Sequence, residues 1–425
     1  MRGQRERPMA VKSTLLGMVL AVAAARAPAE EWPAWRGPRG DGTSTETGVP
    51  VTWSAAANIV WKTAVPGKGH SSPVVWGDRV FVTTCLESEK KRVLLCFDRR
   101  TGKRLWDRVV VTAPLETKNS LNSYASSTPA TDGRRVWVTF LDFPHVRVVC
   151  YDVEGREVWR KTPCELHACH GYCSPLIPYK DLIILNADQD AELPKRAYIV
   201  AFDKATGRER WRIDRPNRVR SYTPPAIFEA AGKMQMVVSG SKCVASYDPD
   251  TGKQHWIIDG PTEQFVANLV YTDGLFMITG GWPTRHILGI RPDGRGNVTN
   301  THVVWHLKER KIVSYVPSPI ARGRYFYLVS DEGVATCLEA KTGRKMWSER
   351  LGRHHSASPV LAEGRLYFLD DAGVMHVLKA EPAFEVIAKN DLGEPCRASP
   401  AVSRGQIFIR STKNLYCIGA AAKSN

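Results

Sequence analysis

The sequence predicts an all-β protein: an eight-bladed β-propeller of four-stranded antiparallel blades, closed by an N-terminal strand joining the C-terminal blade. Three observations predict it. A Gly-containing turn closed by tryptophan recurs along the chain. Apolar runs of strand length alternate with Gly, Asp and Asn turns. The last unit lacks a fourth strand, which the first strand of the chain can supply.

In chain order, residues 1–29 read as an export signal. Arg2, Arg5, Arg7 and Lys12 give a basic start, and Leu15 to Ala25 is an apolar run too short to span a bilayer. Ala27-Pro28-Ala29 then offers small residues for cleavage. Residues 30–54 form a lead-in, 55–419 the propeller and 420–425 a tail. No later run reads as a transmembrane segment, and no cysteine precedes Cys85 to serve as a lipid attachment point. The expected location is periplasmic or secreted.

The 425-residue chain has a formal net charge of +16; setting 1–29 aside removes five basic residues and one acidic residue and leaves +12. The Lys and Arg are scattered rather than massed, which describes a solvated surface and argues against specific nucleic-acid binding. Ten cysteines in an exported chain permit disulfides, but a chain of this length builds a core without them.

The repeat is carried by FDRRTGKRLW (97–106), YDVEGREVW (151–159), FDKATGRERW (202–211), YDPDTGKQHW (247–256) and LEAKTGRKMW (338–347). Each follows an apolar run, and another run precedes that one, approached through Ser-Pro or a similar pair, as in SSPVVWGDRVFV (71–82). In the closing turn, Asp hydrogen-bonds the backbone ahead of it, Gly supplies a positive φ cheaply, and Trp buries a large surface. Trp61, Trp106, Trp159, Trp211, Trp256, Trp305 and Trp347 stand 45, 53, 52, 45, 49 and 42 residues apart, the length of a four-stranded blade. An eighth unit after Ser358-Pro359 has no tryptophan, and three more strands follow Ser399-Pro400. NIVWKTAV (58–65) completes that last set and removes the free edges.

These D-x-x-T-G-K-x-x-W units resemble the tryptophan-docking motifs of PQQ-like repeat propellers in the quinoprotein alcohol dehydrogenase-like superfamily. The resemblance spans residues 55–419 and implies the fold; blade five departs from it in the longer turn IRPDGRGNVTNTHVVW (290–305). In fold the chain also resembles the outer-membrane assembly propeller lipoproteins, which are scaffolds, though without their lipid-attachment cysteine. The dehydrogenases of the superfamily imply PQQ, calcium, an adjacent-cysteine disulfide and an aspartate base. This sequence has no Cys-Cys pair and no ligand that can be carried over, so no cofactor is predicted; PQQ and calcium are the two that the resemblance raises.

In a propeller the loops approaching each innermost strand converge on the central channel. Here those loops carry His70, Tyr124, His170, Tyr172, Arg220, Tyr222, Glu263, Tyr315, His355 and Arg397, a candidate binding mouth. Such a set suits an acidic sugar or another anion, with Arg clamping a carboxylate. CELHACHGYCSP (164–175) is dense in Cys and His, but Leu166 stands where haem attachment needs a cysteine, and the spacing is irregular for zinc. A Cys164–Cys169 disulfide is preferred to zinc, with free buried thiols as the alternative. Cys96, Cys150, Cys337 and Cys417 share one repeat position with Ala201 and Ser246, a small, buried third-strand site. NADQDAE (186–192) alternates Asn186, Asp188, Asp190 and Glu192, a weak calcium cage, with a solvated acidic hairpin preferred. The functional expectation is a monomeric binding or scaffold module contacting a protein partner, a glycan or an anionic small ligand at the channel mouth. The alternative is an enzyme using the same mouth, as a quinoprotein oxidoreductase or an acidic-polysaccharide lyase or hydrolase.

Overall fold

The computed structural model describes residues 3, 29–167, 169–190 and 197–420. The export signal, save Gly3 and Ala29, lies outside the described residues, as do Glu192 and tail residues 421–425. Eight antiparallel sheets follow one another around a central channel. Blade 1 is Val74–Trp76, Arg79–Leu86, Lys91–Asp98 and Arg104–Thr112, from the channel outward. Six further blades repeat this order, their innermost strands beginning at Ala130, Ile177, Ala226, Val270, Ile320 and Val360. Blade 8 takes Ala401–Ser403, Gln406–Arg410 and Asn414–Ile418 from the C-terminal end, and Ile59–Ala64 pairs antiparallel with its third strand to close the ring. Because strands alternate in direction, the loops approaching the inner strands share one face, here the upper. The inner-strand turns and the D-x-x-T-G-K turns share the lower face.

The motif is legible as an interlock between neighbouring blades. In the first turn Asp98 Oδ1 accepts from the N–H groups of Arg100 and Thr101, closing the loop that Gly102 completes at φ +70°. A Cβ on Gly102 would lie 2.6 Å from the Trp61 ring, so the glycine of one blade is the seat for the tryptophan of the blade before. The same seat recurs for Trp159 on Gly207 and Trp305 on Gly343. The indole N–H then donates to a carbonyl of that next blade: Trp61 to Arg99 at 2.8 Å, Trp211 to Pro249 at 3.1 Å, Trp347 to Glu381 at 3.1 Å. Trp256 differs, because the long blade-five turn moves its acceptor. Its N–H donates to Gln235 Oε1 at 2.9 Å, and Gln235 Nε2 passes the contact on to Pro292 O at 2.9 Å. The extra length of that turn also adds Gly296–Asn297 as a short parallel strand beside Trp256–Ile257.

Between the blades lie apolar layers to which Cys96, Cys150, Cys337 and Cys417 each contribute a fully buried side chain. The closing strand has its own clasp. Glu394 accepts from Lys62 at 2.6 Å, Ser411 Oγ at 2.6 Å and Asn414 Nδ2 at 2.8 Å. Although partial burial works the other way, the Lys62, Ser411 and Asn414 hydrogen bonds hold the Glu394 carboxyl down at about 2. A carboxyl lowered on folding stabilises above its unfolded value, about 4.3, and that contribution is lost as pH falls toward 2. Glu394→Gln is expected to cost about 1 kcal/mol and to flatten the stability profile in that acid window, measured by urea unfolding at a series of pH values.

The lead-in is part of the fold. Trp32 and Val75 exchange N–H···O bonds of 2.9 Å on the inner edge of blade 1. Thr131 N–H donates to Pro33 O at 2.8 Å, and Thr43–Ser44 pairs parallel with Leu361–Ala362 of blade 7. Arg36 is buried, its guanidinium donating to Gly40, Asp41 and Pro319 carbonyls, and burial lowers it to about 10. The segment therefore crosses the lower mouth of the channel and carries Trp35 into it.

Candidate functional site

The Ser-Pro approach to each inner strand has a physical role. Asn268 N–H donates to Ser318 Oγ (2.9 Å), Ser318 N–H to Ser358 Oγ (3.0 Å), and Ser358 N–H to Ser399 Oγ (3.0 Å). Ser399 N–H donates to Ser72 Oγ (3.1 Å) and Ser72 N–H to Thr128 Oγ1 (3.0 Å). These bonds run from blade to blade around the channel, and their hydroxyls line it. Trp35 closes it from below, leaving a blind pit of about 130 Å³ that opens on the upper face.

His70, Tyr222 and Arg397 form part of the pit wall, together with Ser126, Cys173 and Ser356. Burial, followed by the nearby Arg410, Arg397 and Lys118 charges, pushes His70 down to about 3. Arg397 donates to Asp371 Oδ2 at 2.7 Å, and the same carboxylate holds His354 Nδ1 at 2.7 Å and Ser356 Oγ at 3.0 Å. The Ser356 hydroxyl is thus bonded to carboxylate rather than to imidazole, which orders the wall without activating a nucleophile. Arg410, behind His70, is fully buried. It donates to Ser71 Oγ at 2.8 Å and to Thr83 O, and burial lowers it to about 9. Among the described residues it has no carboxylate within ion-pair reach.

The other sequence-predicted residues scatter. His170 packs its ring 6.0 Å from Tyr222 above the pit, and Arg220 pairs with Asp190 at 2.5 Å on the outer rim. Tyr315 stacks under Arg285 at 4.3 Å, and Glu263 faces Lys242 at 3.9 Å. Three are removed from the mouth. Tyr172 is buried between blades and bonds Thr139 Oγ1 at 2.8 Å; His355 is fully buried beside His376; Tyr124 lies between Arg92 and Lys118. Successive residues of an extended approach point to opposite sides, so His355 turns inward while Ser356 meets the pit.

Cys164 and the carboxylates of the acidic segment are each engaged with other groups. Cys164 and Cys169 are free thiols. The Cys164 backbone is bound to Val146 of blade 2, and its thiol sits in the core beside the Tyr198 hydroxyl, raised to about 11 by burial. Cys169 is exposed on the following turn. Asp188 is consumed by Arg215 at 2.8 Å, Asn186 by Thr223 O at 2.8 Å and Asp190 by Arg220. No cluster of three or more metal-capable side chains is found among the described residues.

The pit does not fit a tricyclic quinone. Its volume is below the roughly 300 Å³ at which small-molecule pockets begin, and no paired cysteines flank it. Sequence reasoning missed Trp35, Asp371 and Arg410. The Ser-Pro repeat was the available signal for the hydroxyl ring, whereas Arg410 stands in FIRSTKN with no motif to mark it.

Eight blades, with tryptophan docked on glycine at most of their junctions, define a β-propeller of PQQ-like repeats in the quinoprotein alcohol dehydrogenase-like superfamily. The family described as outer membrane protein assembly factor BamB matches residues 43–163, 130–281, 297–386 and 330–424, and the chain belongs to it. Among solved structures, BamB from Moraxella catarrhalis is similar at a TM-score of 0.57 and 13% identity, over 86% of this chain and 98% of that one. A europium-containing methanol dehydrogenase gives 0.62 and 11%, over 92% and 98% of the two chains. Quinohemoprotein alcohol dehydrogenase from Comamonas testosteroni gives 0.55 and 13%, over 95% and 82%. At these identities the likeness is one of fold. No curated protein matches in sequence. No helix among the described residues is long and apolar enough to cross a membrane.

Proposed function

We propose that the protein is an exported binding module that takes an anionic group of a glycan, small ligand or protein partner into the upper pit. The observation that carries the reading is Arg410, a fully buried guanidinium with no carboxylate within ion-pair reach among the described residues, set behind His70, on which its charge and that of Arg397 both act. A buried cation satisfied only by a hydroxyl and a carbonyl favours an incoming anion. The hydroxyl ring supplies neutral donors for its remaining oxygens. The basic start and apolar run of residues 1–29 support export.

The test is calorimetric titration with digalacturonate, inorganic phosphate and acetate. His70 is neutral in the free protein because its folded value lies near 3, below the unfolded value of about 6.5. An anion beside it raises that value, so binding takes up protons and tightens as pH falls from 7 to 5. With digalacturonate, whose carboxylates stay ionised over this range, His70→Asn should abolish the pH dependence, and Arg397→Gln should weaken binding about tenfold. If none of the three anions binds the intact protein at pH 5, the reading fails.

A further inference from the structure

The lower face holds a second cavity, a groove of about 390 Å³ between the lead-in residues Pro33–Asp41 and the inner strands of blades 3 and 4. Trp35 lines both this groove and the pit, and separates them. The groove falls within the size range of built ligand sites. Its walls are apolar and half-buried, with Ile177 and Tyr179 on blade 3 facing Ile227, Phe228 and Met234 on blade 4.

Two observations say what fits there. The first is the behaviour of the lead-in itself. It adds an extended backbone to the inner edges of blades 1 and 7, through the Trp32–Val75 exchange and the Thr43–Ser44 ladder. It also takes a hydrogen bond from Thr131 of blade 2. On the groove side, Ala226–Ala230 of blade 4 is the longest inner strand, and it remains the free edge of its sheet. The second is charge. Glu229 projects from that strand, exposed, with no cationic partner among the described residues. Arg39 across the groove is already held by Glu30 at 2.6 Å. Asp41, also on the lining, accepts from Thr43.

We propose that this groove takes an extended, apolar segment of a partner protein bearing a lysine or arginine, bound as an added strand on Ala226–Ala230 with its cation against Glu229. Main-chain bonds along the free edge supply affinity, and alternate side chains entering the aromatic walls supply selectivity. The proposal is independent of the anion pit, which opens on the other face and carries charge of the other sign.

The test uses two probes, Ac-VKVTV-NH2 and Ac-VEVTV-NH2, titrated into the full chain by calorimetry, with amide exchange followed at Ala226–Ala230. The lysine probe is expected to bind about tenfold tighter than the glutamate probe and to slow exchange along that strand. Glu229 is exposed, so Glu229→Lys leaves the fold intact and should invert the preference. Binding of neither probe, or a preference unchanged in Glu229→Lys, overturns the proposal. A concentration-dependent dimer abolished by Glu229→Lys would place a second copy in the groove and overturn it as well.

Discussion

Arg215→Met is expected to destabilise the protein by about 3–5 kcal/mol, the cost of leaving a buried charge without its partner. Arg215 and Asp188 have fully buried side chains and meet at 2.8 Å. The guanidinium also donates to the Tyr247 hydroxyl at 2.8 Å and to Gly240 O at 3.2 Å, which ties the end of blade 3 to blade 4. Removing the cation strands the Asp188 carboxylate in the core. Arg215→Met with Asp188→Leu removes both charges and should recover most of the loss. Urea unfolding of the three proteins measures both outcomes. A single-variant loss below about 1 kcal/mol would mean that water reaches the pair. Calcium should leave the stability of the parent protein unchanged, because the carboxylate that a cage would need is already committed.

Trp32→Ala should cost about 3–5 kcal/mol, the range for emptying a fully buried aromatic site. Trp32 is only 1% exposed and packs in the cluster that joins blades 1, 7 and 8. Gly37, at φ +76°, lies so close that a Cβ there would sit 2.8 Å from the indole. The variant should also accelerate amide exchange at Val75, whose N–H the lead-in accepts. Trp282→Ala is the control: that ring is 50% exposed, and its loss should stay within about 0.5 kcal/mol. Equal effects from the two variants would show that the lead-in is not integral to the ring.

The fold was legible because a repeat states its geometry many times over. Asp98, Gly102 and Trp106 recur in register, and the structure shows that the glycine of one blade seats the tryptophan of the one before. The missing fourth strand of the last blade pointed to Ile59–Ala64 for the same reason. The site was less legible, because it departs from repetition. The approach loops differ in length, and in extended backbone a shift of one residue exchanges channel for core, as Ser356 and His355 show. The lead-in has no counterpart elsewhere in the chain, so nothing in the pattern indicated that Trp35 would floor the channel. Gln235 is a third case. It carries the Trp256 contact across to Pro292, and a buried glutamine in a strand gives no sign of that service in the sequence.

The hydroxyl chain around the channel has a mechanical consequence. It binds five successive junctions, from blade 5 through blades 6, 7, 8 and 1 to blade 2. The lead-in lies across the same arc like a brace. At blades 3 and 4 the ring is joined by other means, through the buried Arg215–Asp188 pair and the Arg215 bonds to Tyr247 and Gly240. The hydroxyls thus hoop only part of the circle, and an ion pair serves as the buckle on the side where the lower groove lies.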